Sequence, residues 1–324
     1  MSRNIKVALA TLFVSVVVLG LKTAAYYATY SLAVMSDALE TVVNVVTAVV
    51  ALYAIKFAAT PADEDHPYGH GKSEYLSASF EGGLVFFAGL AVGFESIKSF
   101  FIPNERLNAF NGNTYLAAAT VLNLVTGLYL VRHGKRENSE ALKASGKHIL
   151  SDVVTTLGVF VGLALVKVTG IVWIDSVAGL VVGLYLLYEA YKILKDNASV
   201  LMDAVDLPSL DMLADVFNTH KVDAVVDIHN VRIIRSGSFH HIDAHVVVPE
   251  YLDVATIHEL THAFEKNVVR DYKYDGEIAF HIDPCKQKFC KQCHFLECKI
   301  RLAPFEKMKI CTKETMTAGP QYTN

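Results

Sequence analysis

Three long stretches of this chain carry no charged side chain: residues 7–21, 41–55 and 113–131. Of its 324 residues, 52% are hydrophobic and 19% are charged, whereas soluble domains carry about 25% charged residues. The shortage of charge lies before about residue 195, so this part is predicted to lie in lipid and the remainder in water. A soluble globular enzyme and a disordered chain are excluded. The net charge of −4 provides no basic surface for nucleic acid.

Six stretches are long enough to cross a membrane, since a helix spans about 30 Å of hydrocarbon with about 20 residues. They lie at residues 7–28, 32–57, 77–101, 113–132, 147–168 and 171–191. Basic residues in short loops favour the cytoplasmic side. With the N-terminus inside, eleven of them fall on the inner side, and the four outer ones are Lys22, Lys98, Arg106 and Lys167. Both termini are therefore predicted to be cytoplasmic.

The water-soluble part has the pattern helix, strand, strand, helix, strand. These elements are predicted at residues 208–220, 222–234, 239–248, 253–270 and 277–282. Asp253 is the expected cap of the second helix, and Val254 is expected on its buried stripe. The order predicts a small α+β (αββαβ) sandwich with its helices on one face of the sheet.

The chain therefore divides into three predicted parts. Residues 1–198 form a six-helix transmembrane domain, residues 199–284 a cytoplasmic αββαβ domain, and residues 285–324 a Cys-rich, partly flexible tail. The tail is expected to be loosely structured beyond Arg301.

Two predicted spans carry polar side chains in pairs one helical turn apart. Glu40 and Asn44 share a face of the second span, and His148 and Asp152 share a face of the fifth. Ionisable groups at membrane depth are costly and commonly functional. Two such pairs can close a four-ligand site for zinc or a similar divalent cation. The alternative is a set of interhelical hydrogen bonds, and the two pairs together favour the metal.

Other acidic and histidine residues carry weaker signals. Asp37 lies off the face of Glu40 and is expected to contact another helix, and Asp175 is expected to be a helix cap. In the loop after the second span, Asp63, His66 and His70 have the spacing of a loop metal site. Taken alone, that loop pattern favours a polar turn.

Residues 258–262 read His-Glu-Leu-Thr-His and match the HExxH motif of zinc proteases. The motif would place His258 and His262 on one face, with Glu259 as general base. A convincing third ligand is not evident in the sequence, and the helix uses its inner stripe for packing. The motif is therefore interpreted as coincidental.

All five cysteines follow residue 284, and four of them are closely spaced: Cys285, Cys290, Cys293 and Cys298. In a reducing cytosol, thiols at such spacing favour a metal-binding knot over disulfides. Four free, reactive thiols are the alternative. Lysines among them would stabilise thiolates.

Three segments carry a resemblance to a known family. The loop PADEDHPYGHGKSE at residues 61–74 resembles the loop after the second span of the cation diffusion facilitators. SDALETVVN at residues 36–44 and KHILSDVVTT at residues 147–156 resemble the two ligand-bearing helices of that family. The resemblance covers residues 5–285 and implies six spans followed by a metallochaperone-like (ferredoxin-like) domain. It also implies a homodimeric exporter that exchanges a divalent metal for protons.

The resemblance also implies particular site residues. The implied transport ligands are Glu40, Asn44, His148 and Asp152. The commoner family patterns have His or Asp in place of Glu40 and Asp in place of Asn44. Zn²⁺ is the expected substrate, and the added oxygen ligands leave Mn²⁺, Fe²⁺ and Co²⁺ open.

Outside the spans, the resemblance implies three further features. Asp63, His66 and His70 correspond to the loop metal site, and Lys72 and Asp203 to an ion pair at the dimer junction. The cytoplasmic metal site that regulates the family corresponds to His229, His245, His258, His281 and Asp283. The nearby His240 and His241 are expected to be exposed.

Together these features predict an integral protein of the bacterial inner membrane, a cation:proton antiporter that works by alternating access. Its predicted partners are a second copy of the chain, divalent metal cations, protons and membrane lipid. Two alternatives remain at this stage. One is a membrane sensor that binds metal without moving it, and the other is the HExxH metalloprotease.

Overall fold

The computed structural model describes residues 3–102, 112–136, 140–171, 173–237, 239–295 and 298–318. They form two compact units. The first contains residues 3–54 and the described residues of 75–198, and the second contains residues 55–74 together with the described residues from Ser199 onward. The loop after the second span thus groups with the C-terminal domain, and so does the segment predicted to be a separate tail.

Six long helices build the first unit, and each is long and apolar enough to cross a membrane. They are α1 Arg3–Thr29, α2 Leu32–Ala58, α3 Ser73–Phe101, α4 Asn113–Arg136, α5 Glu140–Thr169 and α6 Trp173–Leu201. Large apolar side chains point away from the protein, such as Phe13 at 71% exposed and Val168 at 83%. A surface of this kind suits lipid, because lipid tails solvate apolar groups as well as a protein core does.

Helices α3 and α6 approach each other closely where both carry glycine. A Cβ atom on Gly183 would lie 3.1 Å from the backbone nitrogen of Gly93 and 3.2 Å from the carbonyl oxygen of Gly89. Only a residue without a side chain lets two helix backbones come this near.

Asp175 joins the start of α6 to the start of α2. Its carboxylate accepts hydrogen bonds from the Ser31 hydroxyl at 2.5 Å and from the Leu32 backbone N–H at 2.7 Å. The first N–H groups of a helix have no partner within the helix, so Asp175 caps α2. The predicted capping role is confirmed, although the helix that is capped is the neighbouring one.

The second unit follows the predicted element order. It contains α7 Leu207–His220, β1 Asp227–Ser236, β2 Phe239–Val248, α8 Val254–Asp271 and β3 Asp275–Pro284. Strand β2 lies in the centre of the sheet, antiparallel to β1 and parallel to β3. Asp253 caps α8 as predicted by accepting from the Thr256 N–H at 3.0 Å. The expected burial of Val254 is wrong, because this residue in the first turn of α8 is exposed.

The core of this unit lies between one face of the sheet and the two helices. Phe217 of α7 and Phe264 of α8 are fully buried, with ring centroids 5.6 Å apart. The sheet contributes the apolar residues of one face, namely Ile228, Val231, Ile233, Ile242, Ala244, Val246, Val248 and Ile278. Since successive strand residues point to opposite faces, residues such as His245 and Val247 lie on the face away from the helices.

The expectation of a loose chain beyond Arg301 is wrong for the described residues. Cys311 and Met316 are buried in the same core. A short helix, α9 (Lys313–Thr317), packs on β1, and the carbonyl of Ala318 accepts from the Asn230 N–H at 3.1 Å. These specific contacts hold the segment in place. Its sequence lacks a long periodic pattern of apolar residues, which is the signal that would have predicted an ordered element there.

Truncating Met316 is expected to destabilise the second unit, because its side chain is 0% exposed. Met316→Ala should lower the free energy of unfolding by about 2–5 kcal/mol, as expected for a buried Met replaced by Ala. Met308→Ala is the matched control, since Met308 is 40% exposed. Hydrogen exchange of β1 amides in the full-length protein measures the effect. Equal protection in the two variants would contradict the core position of Met316.

Candidate metal-binding sites

The four polar residues predicted for the transport site are buried or half-buried between α2 and α5. Asn44 joins the two helices: its side-chain amide donates to Oδ2 of Asp152 at 2.8 Å, and its Oδ1 lies 3.1 Å from Nε2 of His148. Glu40 and Asp152 are both buried. The interhelical hydrogen bonds weighed as the alternative to a metal site are therefore present, and they bring three of the four groups together.

Two carboxylate oxygens at this site remain unsatisfied among the described residues. Oε2 of Glu40 and Oδ1 of Asp152 are both buried and have no hydrogen-bond partner there. A buried carboxylate without a donor or counter-ion is costly. The hydrogen bonds of Asn44 therefore account for only part of the buried acid, and the remaining oxygens suit a cation.

Asp37 has a different surrounding, although it lies on the same helix. Its Oδ1 accepts from Lys22 Nζ and from the Thr156 hydroxyl, both at 2.8 Å. Lys22 is 0% and Asp37 1% exposed. The predicted helix-contact role of Asp37 is confirmed, because it links α2 to both α1 and α5. Lys22, counted above among outer loop residues, lies within α1 in this buried pair.

The loop residues Asp63, His66 and His70 come together within the second unit. Each offers one ligand atom, and these atoms lie within 4.8 Å of one another. Nδ1 of His70 lies 3.4 Å from the carbonyl of Thr60, and its Nε2 lies 3.4 Å from Asp63. A backbone hydrogen bond from His66 lowers the pKa of Asp63, which keeps the carboxylate ionised. This arrangement is compatible with a metal ion.

Three histidines stand side by side across the sheet. In the strand register His229 of β1 pairs with His245 of β2, and His245 pairs with His281 of β3. Asp283 joins them, with Oδ2 at 2.9 Å from His245 Nδ1 and 3.6 Å from His229 Nε2. Ligand atoms of His229, His245 and Asp283 lie within 4.8 Å of one another.

The other two residues predicted for this site are placed differently. His281 is 68% exposed, with its Nε2 3.7 Å from Asp283 and its ring 4.5 Å from that of His245. His258 is exposed on α8 and stacks on His262 with ring centroids 5.7 Å apart. Among the described residues, it is outside the group whose ligand atoms come together.

Asp227 was missed by the sequence analysis. Its Oδ2 lies 3.6 Å from Nδ1 of His229, and its Oδ1 lies 2.7 Å from Lys309 Nζ. Burial opposes its ionisation, but the nearby imidazole of His229 and the ammonium of Lys309 outweigh this and lower the pKa of Asp227. A carboxylate on the second nitrogen of a metal-binding imidazole orients the ring. The sequence did contain a signal, because Asp227 and His229 are two residues apart on one strand and therefore point to the same face of the sheet.

The expected exposure of His240 and His241 is wrong, because both are buried. His240 lies 3.0 Å from the Tyr272 hydroxyl and stacks on Tyr274 at 4.3 Å. Burial lowers the pKa of His240, and it raises the pKa of Tyr272 to about 12. His241 contacts Glu277 at 2.8 Å. Tyr272 and Tyr274, which follow α8 in the chain, cover the ring of His240, and the ring of Tyr68 lies 5.0 Å from that of His241. Strand alternation alone does not reveal such contacts.

The remaining predicted groups also have defined places. Lys72 Nζ and Asp203 Oδ1 form a half-exposed ion pair at 2.9 Å within the second unit. Glu259 of the HExxH sequence is exposed, as are His258 and His262. One cavity of about 730 Å³ is lined by all four clustered cysteines, Cys285, Cys290, Cys293 and Cys298. Burial raises the pKa of the Cys285 thiol, and the nearby Cys293 and Cys298 add to this.

Comparison with known proteins agrees with the fold. Residues 8–202 match the cation efflux transmembrane domain, and residues 211–285 match the cytoplasmic domain of cation efflux proteins. The chain belongs to the cation efflux family, the cation diffusion facilitators. The resemblance and the predicted fold class, six membrane-spanning helices with a cytoplasmic α+β domain, are thereby confirmed. Because this is a family of transporters, the metalloprotease interpretation is set aside.

Three relatives illustrate the breadth of the family. An uncharacterized transporter of Synechocystis sp. is 37% identical over 82% of this chain and 86% of its own length. The manganese efflux system protein MneS of Bacillus subtilis is 26% identical over 87% of this chain and 96% of its own. The metal cation efflux system protein CzcD of Cupriavidus metallidurans is 28% identical over 90% of both.

Breaking the buried ion pair in the first unit is expected to be costly. Lys22→Met should lower the free energy of unfolding by about 3–5 kcal/mol, because it leaves the Asp37 charge buried without its partner. Adding Asp37→Asn should restore most of the loss. Lys98→Met is the control, since Lys98 pairs with Glu95 at a half-exposed position. Thermal unfolding in detergent compares the four proteins. An equal loss from Lys22→Met and Lys98→Met would contradict the structural weight of the buried pair.

Proposed function

We propose that this protein exports Zn²⁺ from the cytoplasm in exchange for protons, with Glu40, Asn44, His148 and Asp152 as transport ligands. The observation that carries the proposal is the Asn44 bridge between His148 and Asp152. It holds groups from two membrane helices next to carboxylate oxygens that lack a partner in the described chain. One imidazole nitrogen and three oxygens are ligands that tetrahedral zinc accepts.

Proton exchange follows from the chemistry of these ligands, since carboxylates and imidazoles must be deprotonated to bind metal. Imidazole is the side chain that changes charge between about pH 5 and 8. His148 is therefore the proposed proton-coupled ligand, with Asp152 or Glu40 second. Metal arriving from the cytoplasm displaces protons, and protons arriving from the opposite side displace the metal. An inward proton gradient then drives export by alternating access.

Mn²⁺ is a second candidate substrate, and the ligand set provides a specific reason. Three of the four proposed ligands offer oxygen, and oxygen ligands suit harder ions such as Mn²⁺, whereas imidazole suits zinc, iron and cobalt. One relative is named as a manganese efflux protein. We therefore propose that the oxygen ligand of Asn44, which favours Mn²⁺, and the nitrogen ligand of His148, which favours Zn²⁺, together determine which metal is carried.

We assign the C-terminal domain a regulatory role in a homodimer. The cluster of His229, His245 and Asp283 supports a metal site there, and His281 and His258 complete the proposed ligand set. Metal bound at this site would draw two cytoplasmic domains together and favour the dimer that transports. The loop site of Asp63, His66 and His70 is proposed as a further metal site, and the Lys72–Asp203 pair as a contact at the dimer junction.

The proposed location is the plasma membrane of a bacterium, with both termini in the cytoplasm. The excess of basic residues in the loops on the N-terminal side supports this orientation. Bacteria keep the proton concentration higher outside the plasma membrane, so protons that flow inward can drive the export of the metal.

A flux assay tests the proposal directly. In sealed proteoliposomes with an imposed pH gradient, the unmodified chain should move Zn²⁺, and His148→Ala and Asp152→Ala should each abolish gradient-dependent flux. Glu95→Gln is the control, because Glu95 lies on a membrane helix but is half-exposed and paired with Lys98. This variant should transport normally.

The rival function is a metal sensor that binds through the same ligands and carries nothing. Equilibrium binding measured on the same preparations separates the two functions. Binding that depends on His148 and Asp152, together with no flux of any metal offered, would establish the sensor and overturn the transporter.

Metal choice provides a second test of the ligand assignment. Replacing the only nitrogen ligand by an oxygen ligand in His148→Asp should raise the ratio of Mn²⁺ to Zn²⁺ flux, because zinc gains more from imidazole than manganese does. Competition between the two ions in the flux assay measures the ratio. The control is His133→Asn, at a histidine of α4 that stacks on Tyr129. An unchanged ratio in His148→Asp would remove His148 from the site.

A further inference from the structure

The four clustered cysteines lie around one cavity of the second unit, although they come from different parts of the segment. Cys285 continues strand β3, where its N–H donates to the Val248 carbonyl at 2.8 Å. Cys290 and Cys293 lie in the turn that follows, and Cys298 lies on the returning chain. All four side chains line the cavity of about 730 Å³. The family match ends at residue 285, so three of these residues lie outside it.

The turn that carries Cys290 and Cys293 is tightly built. A single 3₁₀ turn runs over Gln287–Phe289, and the N–H groups of Cys290 and Gln292 donate back to Gln287 and Phe289, both at 3.0 Å. Two cysteines separated by two residues on such a turn are the usual half of a structural zinc site.

Arg301 fixes the fold of the segment from within. Its guanidinium donates to the carbonyls of Cys290 at 3.2 Å, Cys293 at 3.0 Å and Phe295 at 2.8 Å. These bonds tie the returning chain, which carries Cys298, to the turn that carries the other two thiols. Tyr251 also lies close enough to the Cys298 side chain to interact with it.

The cluster is also anchored to the sheet. Phe289 and Cys293 are buried against Val226 and Val247, with Cys285 at the edge of this contact. Val247 lies on the sheet face away from the helices. The thiols are therefore held against a folded surface and are not free on a flexible tail.

We propose that Cys285, Cys290, Cys293 and Cys298 form a zinc-binding site that fastens the C-terminal segment to the domain. Four thiolates complete a closed tetrahedral shell, which is typical of structural zinc. Among the described residues, these sulfur atoms do not lie within 4.8 Å of one another, as the ligand atoms of the histidine and loop clusters do. Binding of the ion would therefore bring the sulfur atoms closer together. The cavity is also lined by Lys286, Lys288 and Arg301, and their charge offsets that of the thiolates.

This site differs from the other proposed sites in its chemistry. The transport, loop and sheet clusters offer oxygen and imidazole nitrogen, whereas this one offers sulfur, which selects zinc over manganese. It would retain its ion while other metals are carried. Its role is to hold the segment that delivers Cys311 and Met316 to the core.

Cobalt substitution tests the site in the full-length protein, because a thiolate bound to Co²⁺ gives an intense near-ultraviolet charge-transfer band that oxygen and imidazole ligands do not. The unmodified chain loaded with Co²⁺ should show the band, and Zn²⁺ should abolish it by displacement. Cys290→Ser with Cys298→Ser, at two half-buried positions, should remove the band and one zinc ion per chain. Cys311→Ser is the matched control: it removes a buried thiol outside the cluster and should keep both signals.

Thiol counting provides the second measurement. With Zn²⁺ bound and the protein folded, the four clustered thiols should resist a thiol reagent, and a chelator should make them reactive. Four thiols that react equally with and without Zn²⁺, or two disulfides in the protein isolated under reducing conditions, would overturn the proposal. Because the readouts follow thiolate coordination alone, they stand even if the transport ligands or the substrate are assigned wrongly.

Discussion

A carboxylate buried among membrane helices needs a donor, a counter-ion or a bound cation, and the acids of the first unit divide along this line. Asp37 has Lys22 and Thr156, and Asp175 has the start of α2. One buried oxygen of Asp37 also lacks a hydrogen-bond partner among the described residues, but Lys22 balances the charge of that carboxylate. Glu40 and Asp152 each keep such an oxygen as well. The first two acids therefore hold the helices together, and the last two are the ones whose charge calls for a cation.

The two kinds of acid are connected through α5. The hydroxyl of Thr156 donates to Asp37 and also lies 2.7 Å from the carbonyl of Asp152. The ion pair with Lys22 thus helps to fix the helix that presents Asp152. A rigid second layer of this kind is what holds ligands at a fixed geometry. In this fold the structural acid, Asp37, and the proposed ligand acid, Asp152, are joined by the hydrogen bonds of Thr156.

Much of this arrangement could be predicted from sequence, because its signals are local. The pairing of Glu40 with Asn44 and of His148 with Asp152 follows from helical periodicity alone. The αββαβ order followed from alternation and capping signals such as Asp253. The side-chain amide of Asn44 connects the two pairs, since its nitrogen bonds Asp152 and its oxygen contacts His148. This connection could be seen only once the two helices were placed side by side.

The features that were missed depend on contacts between residues far apart in the chain. The distant Lys309 helps to lower the pKa of Asp227, and His240 is buried by Tyr272 and Tyr274. No window of neighbouring residues contains either fact. Met316 belongs to the core although the residues around it are polar. Its short helix gains its stability from tertiary packing and not from its own pattern.

Strand β1 contains one extra residue opposite β2, between His229 and Arg232, where Asn230 adopts a positive φ of 49°. Side chains alternate along a strand, so an insertion of one residue reverses the parity of everything beyond it. The bulge lets Ile228 and Ile233, five positions apart, enter the same core. It also leaves His229 on the opposite face in line with His245. The length of β1 therefore sets which side chains face the core. A deletion of one residue at the bulge would exchange the two faces of half the strand, and would either expose apolar residues such as Ile233 or turn His229 into the apolar core.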